Sequence, residues 1–205
     1  MIRILSLTPT KSEKKVKVEL SDGNRCVLDR DTAVLYRLKE DQAFEESAWE
    51  EICAESRLRL AKERAFNLLE YRARSQGELF SRLCEKTDAE TASAVVEKMC
   101  ELGLVDDRQL LRDKVENLLF TKKYGLKRVV YDLVPKGFDK DEILEVAEEL
   151  SYNPFDVLCE WIPSHFPEVL SEETDEKEFQ RVIAALMRRG FSYEEIKRAL
   201  RACCE

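Results

Sequence analysis

The sequence GLKRVVYDLVPKGFDKDEILEVA, residues 125–147, returns in altered form as EFQRVIAALMRRGFSYEEIKRAL, residues 178–200. One constant spacing aligns Arg128, Val129, Val130, Leu133, Gly137, Phe138 and Ile143 with Arg181, Val182, Ile183, Leu186, Gly190, Phe191 and Ile196. A weaker copy lies upstream, where Ser75, Glu78, Leu79, Phe80 and Leu83 align with Gly125, Arg128, Val129, Val130 and Leu133. The chain therefore contains an internal repeat.

Each copy is typical of two helices joined at a glycine. Val129, Val130 and Leu133 fall on one helix face, as a period of about 3.6 residues requires. A left-handed Gly137 would end that helix and bring Phe138 against Leu133, the contact that accompanies a Schellman cap. The following helix is predicted to begin with a cap in both copies: Asp139 with Glu142, and Ser192 with Glu195.

The upstream copy has no glycine after Leu83, so either Thr87 or Asp88 is expected to open its next helix. That helix should end near Gly103, after an apolar stripe. No three-helix unit of this kind can bury its apolar face alone. We therefore predict a mainly α fold, with tandem three-helix repeats in an elongated curved array.

The N-terminal residues follow a different pattern. Residues 15–20 alternate between apolar and charged side chains, as a half-buried strand does. A turn at 21–24 would return the chain as an antiparallel strand over 25–28, and residues 2–5 would supply a third strand. A small β-sheet should therefore precede the repeats.

Two helices are expected between this sheet and the repeats. Asp31 would cap a short helix through Leu38, and Ser47 with Glu50 would cap a second one. No break separates the second helix from Leu58, so the connection to the repeats should be helical or tight. The predicted domains are a sheet and helix extension over 1–58 and helical repeats over 59–105, 106–151 and 152–205.

Glycine and proline positions give further predictions. A long helix capped by Asp106 or Asp107 should run to about Lys123 and end at Gly125, although Gly125 could instead let the backbone approach a partner. In the third repeat, Asn153 and Pro154 should begin a helix. Pro163 and Pro167 would interrupt that helix, and the acidic run over 171–176 would form a solvated link.

Composition limits the classes of function. The chain has 205 residues, 44% of them hydrophobic, which is sufficient for real cores. The formal net charge of −8 means that any contact with a polyanion needs a local basic face. Seven cysteines, without a signal peptide or a Cys-x-x-Cys motif, indicate reduced thiols and a cytoplasmic protein. No apolar run approaches the ~20 residues needed to span a membrane.

The sequence shows no constellation for catalysis, so we expect neither an enzyme nor a bound cofactor or metal. His165 lies between two prolines without a cysteine at ligand spacing, which favours packing or exposure over a metal role. Of Cys203 and Cys204, one is expected to face the core; redox switching is the alternative.

Four strings occur in order: Arg74-Ser75-x-x-Glu78-Leu79, LGLVDD over 102–107, Gly125-x-x-Arg128-Val129 with its Gly137-Phe138, and Arg189-Gly190-Phe191-Ser192. Together they resemble the RecX family, bacterial regulators of the RecA recombinase, over roughly residues 61–205. The resemblance implies a monomeric protein that binds the RecA filament, reaches single- or double-stranded DNA through it, and inhibits RecA recombinase, ATPase and coprotease activity. The alternative is a stand-alone helix-turn-helix DNA-binding protein.

Basic residues recur at equivalent turns of the repeats. Several surround a helix junction at Tyr124, and no acidic residue lies between Asn117 and Tyr131. Such residues are either solvated faces or contacts for an anionic partner. The predicted filament-binding residues are Arg72, Arg74, Lys122, Lys123, Lys127, Arg128, Arg188, Arg189 and Arg198.

Overall fold

The structure, a computed structural model, describes residues 1–11, 14–170 and 175–204, so most of the predicted acidic link lies outside the described residues. The chain divides into two compact units, Met1–Asp107 and Arg108–Glu205. The mainly α fold with a small N-terminal sheet is confirmed. None of the helices in the described ranges is long and apolar enough to cross a membrane.

The first unit begins with an antiparallel sheet. Its strands are β1 (Ile2–Pro9), β2 (Lys15–Leu20), β3 (Arg25–Asp29) and β4 (Ala43–Phe44), in the order β3-β2-β1-β4. The three predicted strands are confirmed. A fourth strand of two residues, β4, pairs with β1 at the edge of the sheet. Because successive side chains of β2 point to opposite faces of the sheet, Val18 and Leu20 both lie in the core, together with Ile4 and Leu28.

The described part of this unit also contains the helices α1 (Arg30–Leu35), α2 (Glu46–Tyr71), α3 (Gln76–Cys84) and α4 (Ala89–Glu101). The prediction that Asp31 caps α1 is wrong, because Asp29 ends β3 and its carboxylate accepts the Thr32 N–H at 2.9 Å. This helix also ends before Leu38. The Ser47 cap is wrong as well: α2 begins at Glu46, and Glu45 at its N-cap position makes no side-chain bond.

The long helix α2 contributes side chains to two separate hydrophobic cores. Trp49 and Ile52, in its first half, pack against the sheet. Ala61 and Ala65, in its second half, pack against α3 and α4. The helix runs without a break across residue 58, so the predicted helical connection to the repeats is present. Asp88, rather than Thr87, caps α4 by accepting the Thr91 N–H.

The second unit contains the two stronger copies of the repeat. Its helices are α5 (Asp107–Glu116), which starts at the end of the first unit, α6 (Leu126–Leu133), α7 (Lys140–Glu149), α8 (Pro154–His165), α9 (Glu176–Arg188) and α10 (Tyr193–Cys204). A π-helical turn, Asn117–Thr121, extends α5, and a 3₁₀ turn follows α6 at Val134–Lys136. Another 3₁₀ turn spans Pro167–Leu170.

The predicted glycine caps are confirmed in both copies. Gly137 has a φ of 91° and Gly190 one of 97°, both left-handed. The N–H of Phe138 donates to the Leu133 carbonyl, and the corresponding bond from Phe191 reaches Leu186 at 3.3 Å. Since the glycine N–H groups also donate back into their helices, both ends are Schellman caps.

Two predicted helix boundaries are wrong. The helix before Gly125 ends earlier, because Lys123 takes the left-handed conformation with a φ of 53°. Gly125 instead occupies the N-cap position of α6. In the third repeat, α8 continues through Pro163 to His165. A proline this close to the helix end removes only one late hydrogen bond, and the buried Leu158 and Ile162 hold the helix in place.

Candidate partner-binding surface

Gly125 and Gly190 bring two backbones into direct contact. The Gly125 N–H donates to the Arg189 carbonyl at 2.9 Å. A Cβ atom on Gly125 would lie 2.4 Å from the Gly190 carbonyl carbon, and one on Gly190 would lie 2.4 Å from the Arg128 nitrogen. The close backbone approach that the sequence allowed at Gly125 thus occurs within the chain. It joins the turn after α9 to the start of α6.

Stacked aromatic and cationic side chains surround this contact. The Arg189 guanidinium lies 4.0 Å from the centre of the Trp161 ring and 5.0 Å from that of Tyr124. The Arg128 guanidinium lies 5.8 Å from Tyr124 and 5.5 Å from Tyr131. Cation–π contacts of this kind hold a planar guanidinium in a fixed orientation. We call this set of residues the stacked series; its outermost member is His165, whose ring stacks on Trp161 at 4.3 Å.

A cleft of about 330 Å³ opens beside the stacked series. Its lining consists of Tyr124, Arg128, Trp161, Phe166, Ala185, Arg188 and Arg189. No acidic side chain lines it within the described residues. The cleft therefore presents guanidinium groups and aromatic rings to an incoming anion.

The guanidinium of Arg189 is incompletely satisfied. One terminal nitrogen donates to the Lys122 carbonyl at 2.5 Å, whereas the buried Nε has no hydrogen-bond acceptor among the described residues. Burial lowers the pKa of Arg189, because removal from water disfavours its charged form. An anion in the cleft would offset this desolvation. The buried Nε of Arg128 also lacks a hydrogen-bond acceptor of good geometry among the described residues, although an Asp132 carboxylate oxygen lies 3.0 Å away and supplies a counter-charge.

The predicted lysines beside this cleft fall into two groups. Lys123 is largely covered and its ammonium lies 2.6 Å from the Glu160 carboxylate. No acidic residue lies near these lysines in sequence, but α8 supplies Glu160 as a partner for Lys123. Lys122 and Lys127 are exposed, and neither forms an ion pair with any residue in the described ranges. Arg188 is exposed too.

Arg72 and Arg74, of the first unit, are not free cations. Both form ion pairs with Glu78. Arg74 is only 8% exposed, and its Nε donates to the Leu68 carbonyl at 3.2 Å. Although partial burial opposes the shift, the hydrogen bonds and charges of Arg72 and Arg74 hold the pKa of Glu78 below its usual range. The contacts of these two arginines stabilise the turn between α2 and α3.

Arg198 belongs to a second basic face on α10. Its guanidinium lies 4.7 Å from the centre of the Phe155 ring, and the Lys197 ammonium lies 5.8 Å from that of Tyr193. These side chains line a shallow depression of about 550 Å³. Glu194 also lines it, so this face is less purely cationic than the cleft beside Arg189.

Sequence reasoning missed Trp161, Tyr131 and Phe166 as members of the candidate surface. Trp161 and His165 lie four residues apart on α8, a spacing that places them on one helix face. That signal was available, but nothing local relates α8 to Arg189. No group of three residues able to hold a metal ion occurs among the described residues.

Residues 61–99 match the model of the RecX first three-helix domain, and residues 168–200 match that of the third. A regulatory protein RecX of Clostridioides difficile is 23% identical over 93% of this chain and 90% of its own length. One from Bacillus velezensis is 27% identical over 94% of this chain and 74% of its own. A crystal structure of a regulatory protein RecX shares the fold with a TM-score of 0.64, at 18% identity, covering 97% of this chain and 98% of that one.

Proposed function

Because the chain belongs to the RecX family, we propose that it binds the RecA–DNA filament and inhibits the recombinase, ATPase and coprotease activities of RecA in DNA repair and the SOS response. The single observation that supports this best is the arginine-lined cleft beside Tyr124, which has no acidic side chain among its described lining residues although the net charge of the chain is −8. Such a local reversal of charge suits an anionic partner.

We propose that the protein inhibits RecA by occupying a binding site on the filament. Exposed cations of the second unit contact phosphates or acidic side chains of the filament, and several weak contacts on one protein sum to a useful affinity. The free cations Lys122, Lys127 and Arg188 are the strongest candidates, with Arg128 and Arg198 beside aromatic rings as further ones. In contrast, Arg72, Arg74 and Lys123 contribute chiefly by holding their surroundings in place, since each forms an ion pair within the chain. Arg189 lines the cleft, and its Nε lacks an acceptor among the described residues, so it is a further candidate for binding an anion there.

The test is the DNA-dependent ATPase of the cognate RecA, measured with increasing amounts of this protein. Inhibition that grows with added protein supports the proposal. A flat response up to equimolar protein would refute it. Binding of free DNA at the same affinity as filament would instead favour the helix-turn-helix alternative, so an anisotropy titration with labelled DNA alone is the matched control.

A further inference from the structure

A groove of about 670 Å³ in the first unit follows one face of α2. One wall is formed where β2 begins, at Lys14 and Lys15, and another by the turn between α3 and α4. The α2 residues that line the groove recur at helical spacing from Arg57 to Leu68, so the stripe extends for about 16 Å along the helix. We call this feature the α2 groove.

The rim of the α2 groove is cationic. Five of its described lining residues carry a positive charge, and Glu63 is the single acid among them. Lys15 and Lys86 lie on opposite walls, and neither forms an ion pair with any residue in the described ranges. Because the whole chain carries a net charge of −8, this is a local reversal of charge that suits an anionic partner.

Ion pairs hold the walls of the groove against α2. They join Lys14 to Glu63 at 2.9 Å, Arg57 to Asp88 at 3.7 Å and Arg64 to Glu85 at 2.9 Å. Each pair links one residue of α2 to a residue from another wall. The groove is therefore formed before a partner arrives, which lowers the cost of ordering it on binding.

The floor of the α2 groove is apolar. Ala61 and Leu83 are buried in the core of the first repeat, and Leu68 packs against that core. Leu60 differs, because it is half-buried but packs against neither core of the first unit. An apolar side chain of a partner placed against Leu60 would remove further apolar surface from water, which favours binding.

The lining of the groove disfavours nucleic acid as its occupant. No aromatic ring is among the described lining residues, so the unpaired bases of a single strand would have no surface on which to stack. A duplex presents mainly phosphates and sugars, which leave the apolar floor without a matching group. Leu60 and the free lysines together suit a partner that carries negative charge and apolar side chains in one segment.

We propose that the α2 groove binds an acidic protein segment that carries a bulky apolar side chain. Carboxylates of the segment contact Lys15 and Lys86, and the apolar side chain packs on Leu60. This site shares no residue with the arginine-lined cleft of the second unit. It also does not depend on the proposed inhibition of RecA, since it is defined by its own ligand.

The experiment adds the full-length protein to a fluorescein-labelled peptide built from glutamate and aspartate around one Leu-Phe pair, and measures fluorescence anisotropy. We expect saturable binding that weakens as salt is added. A second peptide replaces Leu-Phe by Ser-Ser, and a third replaces the acids by glutamine. Both should bind more weakly than the first, because each lacks one of the two recognised features.

Variants of the protein test the proposed contacts. Lys15→Glu together with Lys86→Glu should weaken binding of the acidic Leu-Phe peptide roughly tenfold or more, because attraction becomes repulsion at two points. The matched control is Lys17→Glu with Lys39→Glu, two exposed residues of the same unit that do not line the groove. Leu60→Gln keeps a good helix former in α2 and should weaken binding of the Leu-Phe peptide but not of the Ser-Ser peptide. Circular dichroism confirms that each variant is folded.

Several results would overturn the proposal. One is a failure of the acidic Leu-Phe peptide to bind saturably. Equal weakening by the two double lysine variants would mean that only net charge acts. A labelled DNA oligonucleotide that binds more tightly than the peptide, and is lost on reversal of Lys15 and Lys86, would make the groove a nucleic-acid site. Loss of peptide binding on reversal of Lys122, Lys127 and Arg188 would assign the peptide to the second unit instead.

Discussion

At the scale of single residues, three glycines separate two physical effects. Gly137 has a positive φ, but a Cβ atom there would meet nothing within 4 Å. Gly125 has an ordinary φ of −78°, but its Cβ would collide with the Gly190 backbone. Gly190 combines a positive φ with a collision against Arg128. Substitution by alanine therefore measures backbone strain at Gly137, steric collision at Gly125 and both effects at Gly190.

We expect Gly137→Ala to lower the free energy of unfolding by about 1 kcal/mol, the usual cost of a left-handed residue with a Cβ. Gly125→Ala and Gly190→Ala should each cost about 3 kcal/mol or more, because backbone atoms must move apart. Urea denaturation of the three variants measures the differences. Equal costs at all three positions would contradict the backbone contact between the two repeats.

The repeat pattern indicated left-handed glycines at 137 and 190, because a glycine after an apolar helix face is a local signal. It did not predict the contact between Gly125 and Gly190. In the alignment, Gly125 corresponds to Glu178, so the symmetry of the repeat gives no reason for a glycine at 125. The reason is a distant backbone, which no local spacing reveals. The stacking of Arg189 on Trp161 escaped prediction for the same cause.

Glu78→Gln tests the buried arginine of the first unit. The substitution leaves Arg74 without its counter-charge, and we expect a loss of about 2 kcal/mol at pH 7. Since the pKa of Glu78 is lowered in the folded protein, its stabilisation is complete above the unfolded value of about 4.3. It is lost as the pH falls through the folded value. Denaturation curves of the parent and the variant should therefore converge at low pH; a constant gap would show that the ion pair is unimportant.

At the scale of elements, the sequence predicted the presence of helices better than it predicted the residues at which they begin. Asp29 and Asp31 are both suitable caps, and the pairing of β3 with β2 up to Asp29 decides between them. The start of α2 follows from the packing of Trp49 and Ile52 rather than from a capping side chain. The two-residue strand β4 carries too little pattern to be recognised. Apolar periodicity, in contrast, indicated α4, α6 and α9 correctly.

Deletion of residues 1–57 should leave a folded helical protein. The sheet core and the first-repeat core share α2 but have no residue in common, and Ala61 and Ala65 remain in the truncated chain. We expect a persistent helical circular-dichroism signal and cooperative melting. Deletion of residues 1–71 is the matched control, because it also removes both alanines and exposes the core of α3 and α4. Loss of cooperative melting in the shorter deletion would mean that the two cores stabilise each other.

At the scale of the whole molecule, the distribution of charge matters more than its sum. The net charge of −8 disfavours a polyanion, yet the described part of the second unit gathers unpaired cations beside the arginine-lined cleft. The stacked series and the glycine contact fix the backbone beneath them. A backbone fixed in this way loses little entropy on binding, which favours affinity for an anionic surface, although the exposed side chains themselves still lose rotamer freedom.

Reversal of Lys122, Lys127 and Arg188 to glutamate should weaken binding to the RecA–DNA filament steeply and leave the fold intact. These side chains are exposed, and the Lys122 carbonyl that accepts from Arg189 belongs to the backbone, so it survives the change. Lys123 is left in place because a glutamate there would face Glu160. Exposed charges contribute about 0–1 kcal/mol to stability, so melting should change little.

The decisive control carries the same change of charge elsewhere. Lys11, Lys17 and Lys39 are exposed in the first unit and do not line the cleft, and their reversal to glutamate alters the net charge equally. Anisotropy titrations across a salt series compare the two triple variants with the parent. If this surface contacts phosphates, the affinity of the Lys122, Lys127 and Arg188 variant should also depend less steeply on salt concentration, because fewer counterions are released on binding. Equal weakening by both triple variants would mean that only net charge acts, and unchanged affinity in both would move the binding surface to Arg198 and the face of α10.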